Sequence, residues 1–379
     1  MKFTANTKQL KAACDAARRA VSSKTTIPAL EGLLLRSNGS DLEVTGYDLE
    51  CAIQVRAEVD TQEAGAVIID AALLCGILAK LGGETVTVEV DKKAMIGGGG
   101  SEYKLNIMPE KDFPEIPTAT DGQGHIAMPL DALQHMVRGT VYAASVHPDT
   151  KPIHTGVLFE RVDGDKLTLA AIDGFRCAVR KTEDWHCTHE FEAQKFVVPA
   201  KAVKEIASLK SSVDQVQIYL HKRHVSFIVG NMQITSRLLD GEFMNYQAAI
   251  PKKHEAELVI NVADMIAAVE RVALMAAEKI MNPIHMRLLP DDSAVELSCA
   301  SGIGTACERV SAKGNGEWSI RYEIGFNHRY MLDALNACDD AFVHMRVLST
   351  VQPMVIVPTE GDDYLQLVLP VRLDSGDMR

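Results

Sequence analysis

Residues 156–180 read GVLFERVDGDKLTLAAIDGFRCAVR. Two runs of alternating apolar residues flank Val162-Asp163-Gly164-Asp165, and an Ala171-Ile172-Asp173-Gly174 corner follows. Asp-Gly between alternating runs predicts a β-hairpin, because glycine accepts the positive φ of the turn. The chain states this stretch more than once. Residues 32–55, GLLLRSNGSDLEVTGYDLECAIQV, carry the same hairpin, an Asp48 matching Asp173, and the same Cys-Ala-aliphatic ending. A third and fainter version, MRLLPDDSAVELSCASGIGTACERV, spans 286–310. A period of roughly 125 residues in a chain of 379 predicts three copies of one domain.

Outward from these hairpins, each third parses into one order of elements. The first has a strand over 2–4, a helix over 7–21, the hairpin, a strand over 66–69 and a helix over 71–81 stopped by Gly82-Gly83. Strands over 85–90, 93–96 and 101–108 end it. The second repeats this with a strand at 125–128, helices over 130–143 and 200–209, a strand at 195–198, and strands 215–220, 224–229 and 232–237. In the third, strands at 257–261 and 319–325 precede helices over 263–276 and 328–337, before strands 342–348, 351–357 and 364–369. Pro109, Pro114 and Pro117 mark one exit, and Asp240-Gly241 with Pro251 the next, giving domains 1–121, 122–253 and 254–379. Two helices backed by antiparallel sheets in each domain make the fold class α+β.

Thirty-nine Lys and Arg against fifty-one Asp and Glu leave a net charge of −12, which by itself argues against nucleic acid. The distribution argues otherwise. Lys8, Lys11, Arg18, Arg19 and Lys24 face one Asp15 over 7–24, and Lys195, Lys201, Lys204 and Lys210 face one Glu205 over 195–210. Such helices read either as ordinary solvated faces or as basic rods on an acidic body. No apolar run approaches the ~20 residues of a membrane span, and charges through 1–21 leave no signal-peptide core. Eight scattered cysteines without CxxC spacing predict reduced, mostly buried thiols in a cytoplasmic protein.

Equal domains on short stiff linkers form arcs that close. A ring of six helices, each ~10 Å across, leaves an opening of only ~10 Å, whereas twelve leave roughly 29 Å. A duplex, whose major groove alone is ~12 Å wide, needs the larger opening and therefore two chains head to tail.

These residues resemble one known family over essentially 1–373. Met1-Lys2-Phe3-Thr4, Ile27-Pro28-Ala29-Leu30-Glu31-Gly32, Thr45-Gly46-Tyr47-Asp48, Asp112-Phe113-Pro114, Asp173-Gly174-Phe175-Arg176, Leu239-Asp240-Gly241, Ile324-Gly325-Phe326-Asn327 with Tyr330, and Leu369-Pro370-Val371-Arg372-Leu373 are similar, in order, to the bacterial DNA polymerase III beta subunits, the sliding clamps. The resemblance implies three clamp-type domains closing into a six-domain ring as a head-to-tail homodimer. It implies no catalysis, no cofactor and no metal. Expected partners are duplex DNA, the replicative polymerase's catalytic subunit, the clamp loader and other proteins with clamp-binding linear motifs, with no membrane. A peptide groove is implied at Ile172, Gly174, Phe175, Arg176, Cys177, Met244, Ala249, Asn327, Tyr330, Leu348, Thr350, Val368, Leu369, Pro370, Val371 and Arg372. DNA contacts map to Lys24, Lys80, Lys151 and Lys201, with Lys204 one turn from Lys201, and the dimer seam to Tyr103, Leu105, Leu274 and Met275. The four seam residues also read as ordinary core. The chain departs from the pattern at Ile172, His154, Met244 and 279–283, and 374–379 extends past the usual end.

Gly97–Gly100 lacks the Lys-Ser/Thr of a phosphate loop and reads as a hairpin turn. His186, Cys187 and His189 with Cys177 form a cramped metal set, and Asp48 and Asp173 read as turn residues rather than a carboxylate pair. A nuclease needs a metal-binding acidic cluster that the sequence does not display. A protein-binding scaffold without DNA remains the alternative reading.

Overall fold

The structure, a computed structural model, describes residues 1–22, 25–117, 124–146, 151–162, 166–188, 193–276, 282–314 and 320–373. The chain divides into two compact units, residues 1–131 with 185–192 and 208–238, and residues 132–184 with 193–207 and 239–379. Each holds one long antiparallel sheet.

In the first unit, thirteen strands form a sheet whose main path runs from His186–Cys187 through His125–Pro129, Gln215–His221, His224–Val229 and Met232–Arg237 to Cys51–Glu63. It continues through Lys2–Asn6, Thr85–Val90 and Ala94–Gly98 to the edge strand Ser101–Leu105. Helices Thr7–Arg18 and Ala71–Lys80 pack on each other, burying Leu10, Ala13, Cys14 and Ala17 from one and Leu74, Cys75 and Leu78 from the other. Asn6 and Asp70 cap them with side-chain oxygens, so each strand turns directly into its helix.

The second unit's twelve strands run Lys195–Pro199, Gly156–Val162, Lys166–Ile172, Arg176–Thr182, Tyr364–Val368, Met354–Pro358, Phe342–Val347, Ala256–Asn261, Gly304–Gly314, Ala294–Ser301, Ile284–Leu289 and Glu323–Phe326. Helices Val262–Ala273 and His328–Asn336 pack together here, over a core that includes Met265, Val269, Ile324, Phe326 and Leu335. Among the described residues no helix is long and apolar enough to cross a membrane.

Two sequence expectations need correction. Helices predicted over 7–21, 130–143 and 263–276 end earlier, at Arg18, Arg138 and Ala273. In the second case Thr140 Oγ1 donates to the Met136 carbonyl at 2.8 Å, offering the backbone an alternative to another helical turn. The repeats also align differently at their corners. Asp48 Oδ1 accepts from the N–H groups of Glu50 and Cys51, as Asp173 Oδ1 does from Phe175 and Arg176. Cys51 therefore matches Arg176, not Cys177, and the shared Cys-Ala ending is off by one residue. Ser301 supplies the third such oxygen, accepting from the N–H of Ile303 at 3.3 Å.

The corner alignment exposes how the sheets are extended. The strand leaving the first corner, Cys51–Glu63, pairs with Met232–Arg237, setting Ile53 opposite Ile234. Its counterpart after the second corner, Arg176–Thr182, pairs with Tyr364–Val368, setting Ala178 opposite Gln366. The third counterpart begins at Gly304. Residues 304–311 pair with Ala294–Ser301 on one side, and among the described residues no strand takes the other side.

Candidate functional site

The groove expected from the sequence lies wholly in the second unit. Its frame is the 173–176 corner. Asp173 Oδ1 accepts from the Phe175 and Arg176 N–H groups at 2.9 and 3.1 Å, while Gly174 takes φ 92°, a conformation that a side chain would strain. This aims Phe175 outward, 55% exposed, with its ring stacked on Tyr330 at 6.2 Å between centroids. Tyr330 is fixed in turn by Asn327, whose Oδ1 caps the helix His328–Asn336 by accepting from the N–H of Arg329 at 2.9 Å.

Arg176 ties the two sides together. Its Nε donates to Asp173 Oδ2 at 2.9 Å and its Nη1 donates to Asp333, while the guanidinium lies 4.5 Å from the Tyr330 ring centroid and 5.3 Å from that of Tyr142. A planar cation held between two carboxylates and over two rings is oriented as well as neutralised. The opposite wall is anchored by backbone: the N–H of Leu369 donates to the Phe175 carbonyl and that of Val371 to the Gly325 carbonyl, both at 2.8 Å.

Between these walls is a cavity of about 500 Å³. Phe175, Asn327, Tyr330, Leu369, Pro370 and Val371 line it, as the sequence expectation has them. Asn282 and Pro283, from the 279–283 departure, line it as well, and so do Ala273, Ala276, His328 and Arg329, which the sequence does not single out. Their only sequence signal was the pair of small residues at helical spacing, which reads equally as core. Ile172, Cys177 and Val368 sit beneath the surface as core, in a cluster shared by Phe243, Tyr246 and Leu367 for the first two. Burial, then the Asp173 carboxylate, pushes the Cys177 thiol up to about 12, so it stays protonated and inert. Burial and Arg329 lower the His328 pKa, and burial followed by Asp173 raises that of Tyr330. Leu348 lines a separate cavity of about 180 Å³. Met244 and Thr350 are exposed and Ala249 and Arg372 flank the chain nearby in sequence without lining the 500 Å³ cavity.

Nothing in this arrangement pairs a nucleophile with a base; it is a shaped apolar trough with a few fixed polar groups. Three family profiles match in tandem: the DNA polymerase III beta subunit N-terminal domain at residues 1–117, its central domain at 127–245 and its C-terminal domain at 247–372. A beta sliding clamp of Staphylococcus epidermidis is 30% identical over 366 residues, covering 93% of this chain and 94% of the relative. The chain belongs to the beta sliding clamp family. Another clamp, from Synechococcus elongatus, is 30% identical across 99% of this chain and all of its own length. Among solved structures, the Bacillus subtilis DNA polymerase sliding clamp superposes with a TM-score of 0.93 at 29% identity, covering 99% of this chain and 100% of that one. A Bartonella birtlesii clamp bound to griselimycin matches at 0.90 and 26% identity, over 98% and 100%. Sliding clamps are non-catalytic processivity factors, and this chain is one by family.

The remaining clamp residues distribute as follows. Lys24 lies outside the described residues. Lys80 is the exposed last residue of Ala71–Lys80, Lys151 is exposed just before the 3₁₀ turn Pro152–Thr155, and Lys201 and Lys204 are exposed one turn apart on Ala200–Ala207. Tyr103 and Leu105 stand half-buried on the edge strand Ser101–Leu105. Leu274 is 72% exposed at the end of Val262–Ala273, and the Met275 sulfur would lie 3.3 Å from a Cβ placed on Gly304. In the metal set, His189 falls outside the described residues, and Cys177 belongs to the other unit from His186 and Cys187. Cys307 departs from the buried-thiol expectation and is exposed.

Proposed function

We propose that the chain acts as a head-to-tail homodimer closing into a six-domain ring around duplex DNA, and that it tethers the catalytic subunit of the replicative polymerase. Its domains run 1–121, 122–253 and 254–379, it is loaded by the clamp loader, and it works in the cytoplasm. The observation that carries this reading is the pair of open strand edges. Two of the three corner strands already have a partner from the next repeat, and among the described residues the third, from Gly304, has none. Ser101–Leu105 is, among the described residues, a free edge at the end of the other sheet and matches the strand used at the first filled joint: it follows a two-residue turn, as Met232–Arg237 does. A second copy of the chain satisfies both edges at once, and paired edges no longer invite stray association.

Carrying over the register of the filled joints sets Ala306 opposite Tyr103, and Gly304 opposite Leu105, of the partner subunit. Leu274 and Met275 then flank the seam. Lys24, Lys80, Lys151, Lys201 and Lys204 supply sequence-independent attraction to phosphates, which lets a ring move while its topology retains it. The Phe175–Tyr330 trough takes the linear motifs of polymerase and loader, with apolar burial giving affinity and backbone groups fixing register.

A native mass of twice 41.3 kDa tests the dimer. Retention on nicked circular DNA after loading, with release on linearisation, tests encirclement. Equal retention on both DNA forms would favour a binding protein that never surrounds its DNA.

A further inference from the structure

Next to the trough is a second, smaller cavity of about 180 Å³, and its charge is one-sided. Lys252, Lys253, His254 and Arg346 rim it over Ile250 and Leu365, and among the described residues no carboxylate lines it. Glu257, whose side chain is only 10% exposed, accepts from Arg346 Nε at 2.7 Å and lies 3.7 Å from His254 Nε2 and 3.6 Å from His344 Nδ1. Glu257 thus neutralises part of the Arg346 charge from beneath. Lys252 and Lys253 are exposed, and among the described residues neither has a carboxylate within ion-pair distance.

The patch is continuous with the trough. Ile250 and Leu365 line the small cavity and also pack, with Leu369, against the core cluster of Ile172, Cys177 and Phe243. Leu369 in turn lines the larger cavity. A peptide lying along Leu369 toward Leu348 therefore runs off one end of the apolar trough onto the lysines.

We propose that this patch is an additional subsite that selects clamp partners whose motif is flanked by acidic residues, the carboxylates docking on Lys252, Lys253 and Arg346. The inference rests on the trough being the peptide site. Each exposed pair contributes modestly, so three together strengthen binding about tenfold at low salt. Screening at ~1 M salt, where the Debye length is ~3 Å, removes most of that gain.

The test uses the full chain and a fluorescein-labelled clamp-binding peptide, extended at either end by three Glu, three Gln or three Lys, with anisotropy as readout. The Glu-extended peptide from one end should bind about tenfold tighter than the Gln form, and the Lys form more weakly. Lys252→Glu/Lys253→Glu should abolish the difference while leaving the unextended peptide unchanged. Flank-independent affinity with intact binding of the unextended peptide overturns the subsite alone, whereas no binding of any peptide overturns the trough itself. A double variant that weakens duplex DNA binding but leaves every peptide unchanged also overturns the proposal, making the patch a phosphate contact.

Discussion

Gly139→Ala is the substitution for which two physical arguments give opposite signs. The residue directly follows helix Leu130–Arg138, its N–H donates to the His135 carbonyl at 3.1 Å, and its φ is not positive. Backbone entropy and helix propensity alone predict that alanine stabilises by ~0.5–1 kcal/mol. Packing predicts the reverse. An alanine Cβ would sit 1.8 Å from Arg180 Nε and 2.6 Å from its Cδ. Arg180 is 5% exposed, donates to Asp339 Oδ2 and Oδ1 at 2.6 and 3.0 Å and to the Ala337 carbonyl, lies 2.6 Å from His135 Nε2, and stands over Tyr364 at 5.2 Å. It has no second place to go. Asp339 is 41% exposed, so the Coulombic part is screened, and most of the cost comes from displacing a buried, hydrogen-bonded guanidinium. We expect a loss of roughly 2–4 kcal/mol against the small gain. In thermal unfolding this is a fall of about 5–10 °C. Arg180→Ala should cost a similar amount, and the double variant should be no worse than Arg180→Ala, because the clash vanishes with the side chain. A Gly139→Ala melting temperature at or above wild type, or strictly additive losses, refutes the reasoning.

Three further outcomes follow from the same geometry. Asp362 accepts from Lys166 at 2.8 Å and Lys181 at 2.7 Å, and these bonds hold its carboxyl down to about 2 from 3.8. A depressed folded-state value means stabilisation that is present above pH 3.8 and lost as pH falls through about 2, so the melting gap between wild type and Asp362→Asn should close over that window. The gap itself is small, because the carboxylate is 56% exposed; a gap independent of pH would remove the ion bracket from the explanation. Phe175→Ala should weaken peptide binding by about tenfold or more without changing the melting temperature, since the ring is exposed and its loss leaves no buried hole. Leu274→Asp, at a 72% exposed position, should leave folding intact and shift the native mass from twice 41.3 kDa toward 41.3 kDa, since a seam would bury the new carboxylate unpaired; an unchanged mass would move the seam elsewhere.

What could be read ahead of the structure was whatever rests on local pattern. The hairpins announced themselves through alternation, though the Asp163-Gly164 turn lies outside the described residues, and six strand-to-helix steps through apolar spacing. Arg180 was illegible for a definite reason. In the run Cys177-Ala178-Val179-Arg180-Lys181 it reads as the first solvated residue at a strand's end. It is buried because Asp339 and Tyr364, far along the chain, arrive beside it. Ala273 and Ala276 are illegible for a similar reason, since a small residue announces a cavity only once the opposite wall is known. The cysteine alignment fails because the capping oxygen, not the identity of the letters, carries the geometry.

That oxygen also explains how one repeated corner serves different ends. Asp48, Asp173 and Ser301 each turn a side-chain oxygen onto the N–H two residues later, and this fixes the corner whatever follows. The residues after it are then free to differ: Leu49-Glu50-Cys51 in the first copy, Gly174-Phe175-Arg176 in the second, Gly302-Ile303-Gly304 in the third. Leu49 bears φ 75° with a side chain present, whereas Gly174 takes φ 92° without strain. Only the second copy follows its corner with an aromatic ring and a guanidinium, and only there does a tyrosine on a capped helix stand ready to stack against both. Glu50 in the same place cannot line an apolar trough. Exposed Ile303, beside Gly304, adds apolar surface to an open strand edge instead. The fold thus tolerates three answers at one position because its own requirement ends at the capping atom.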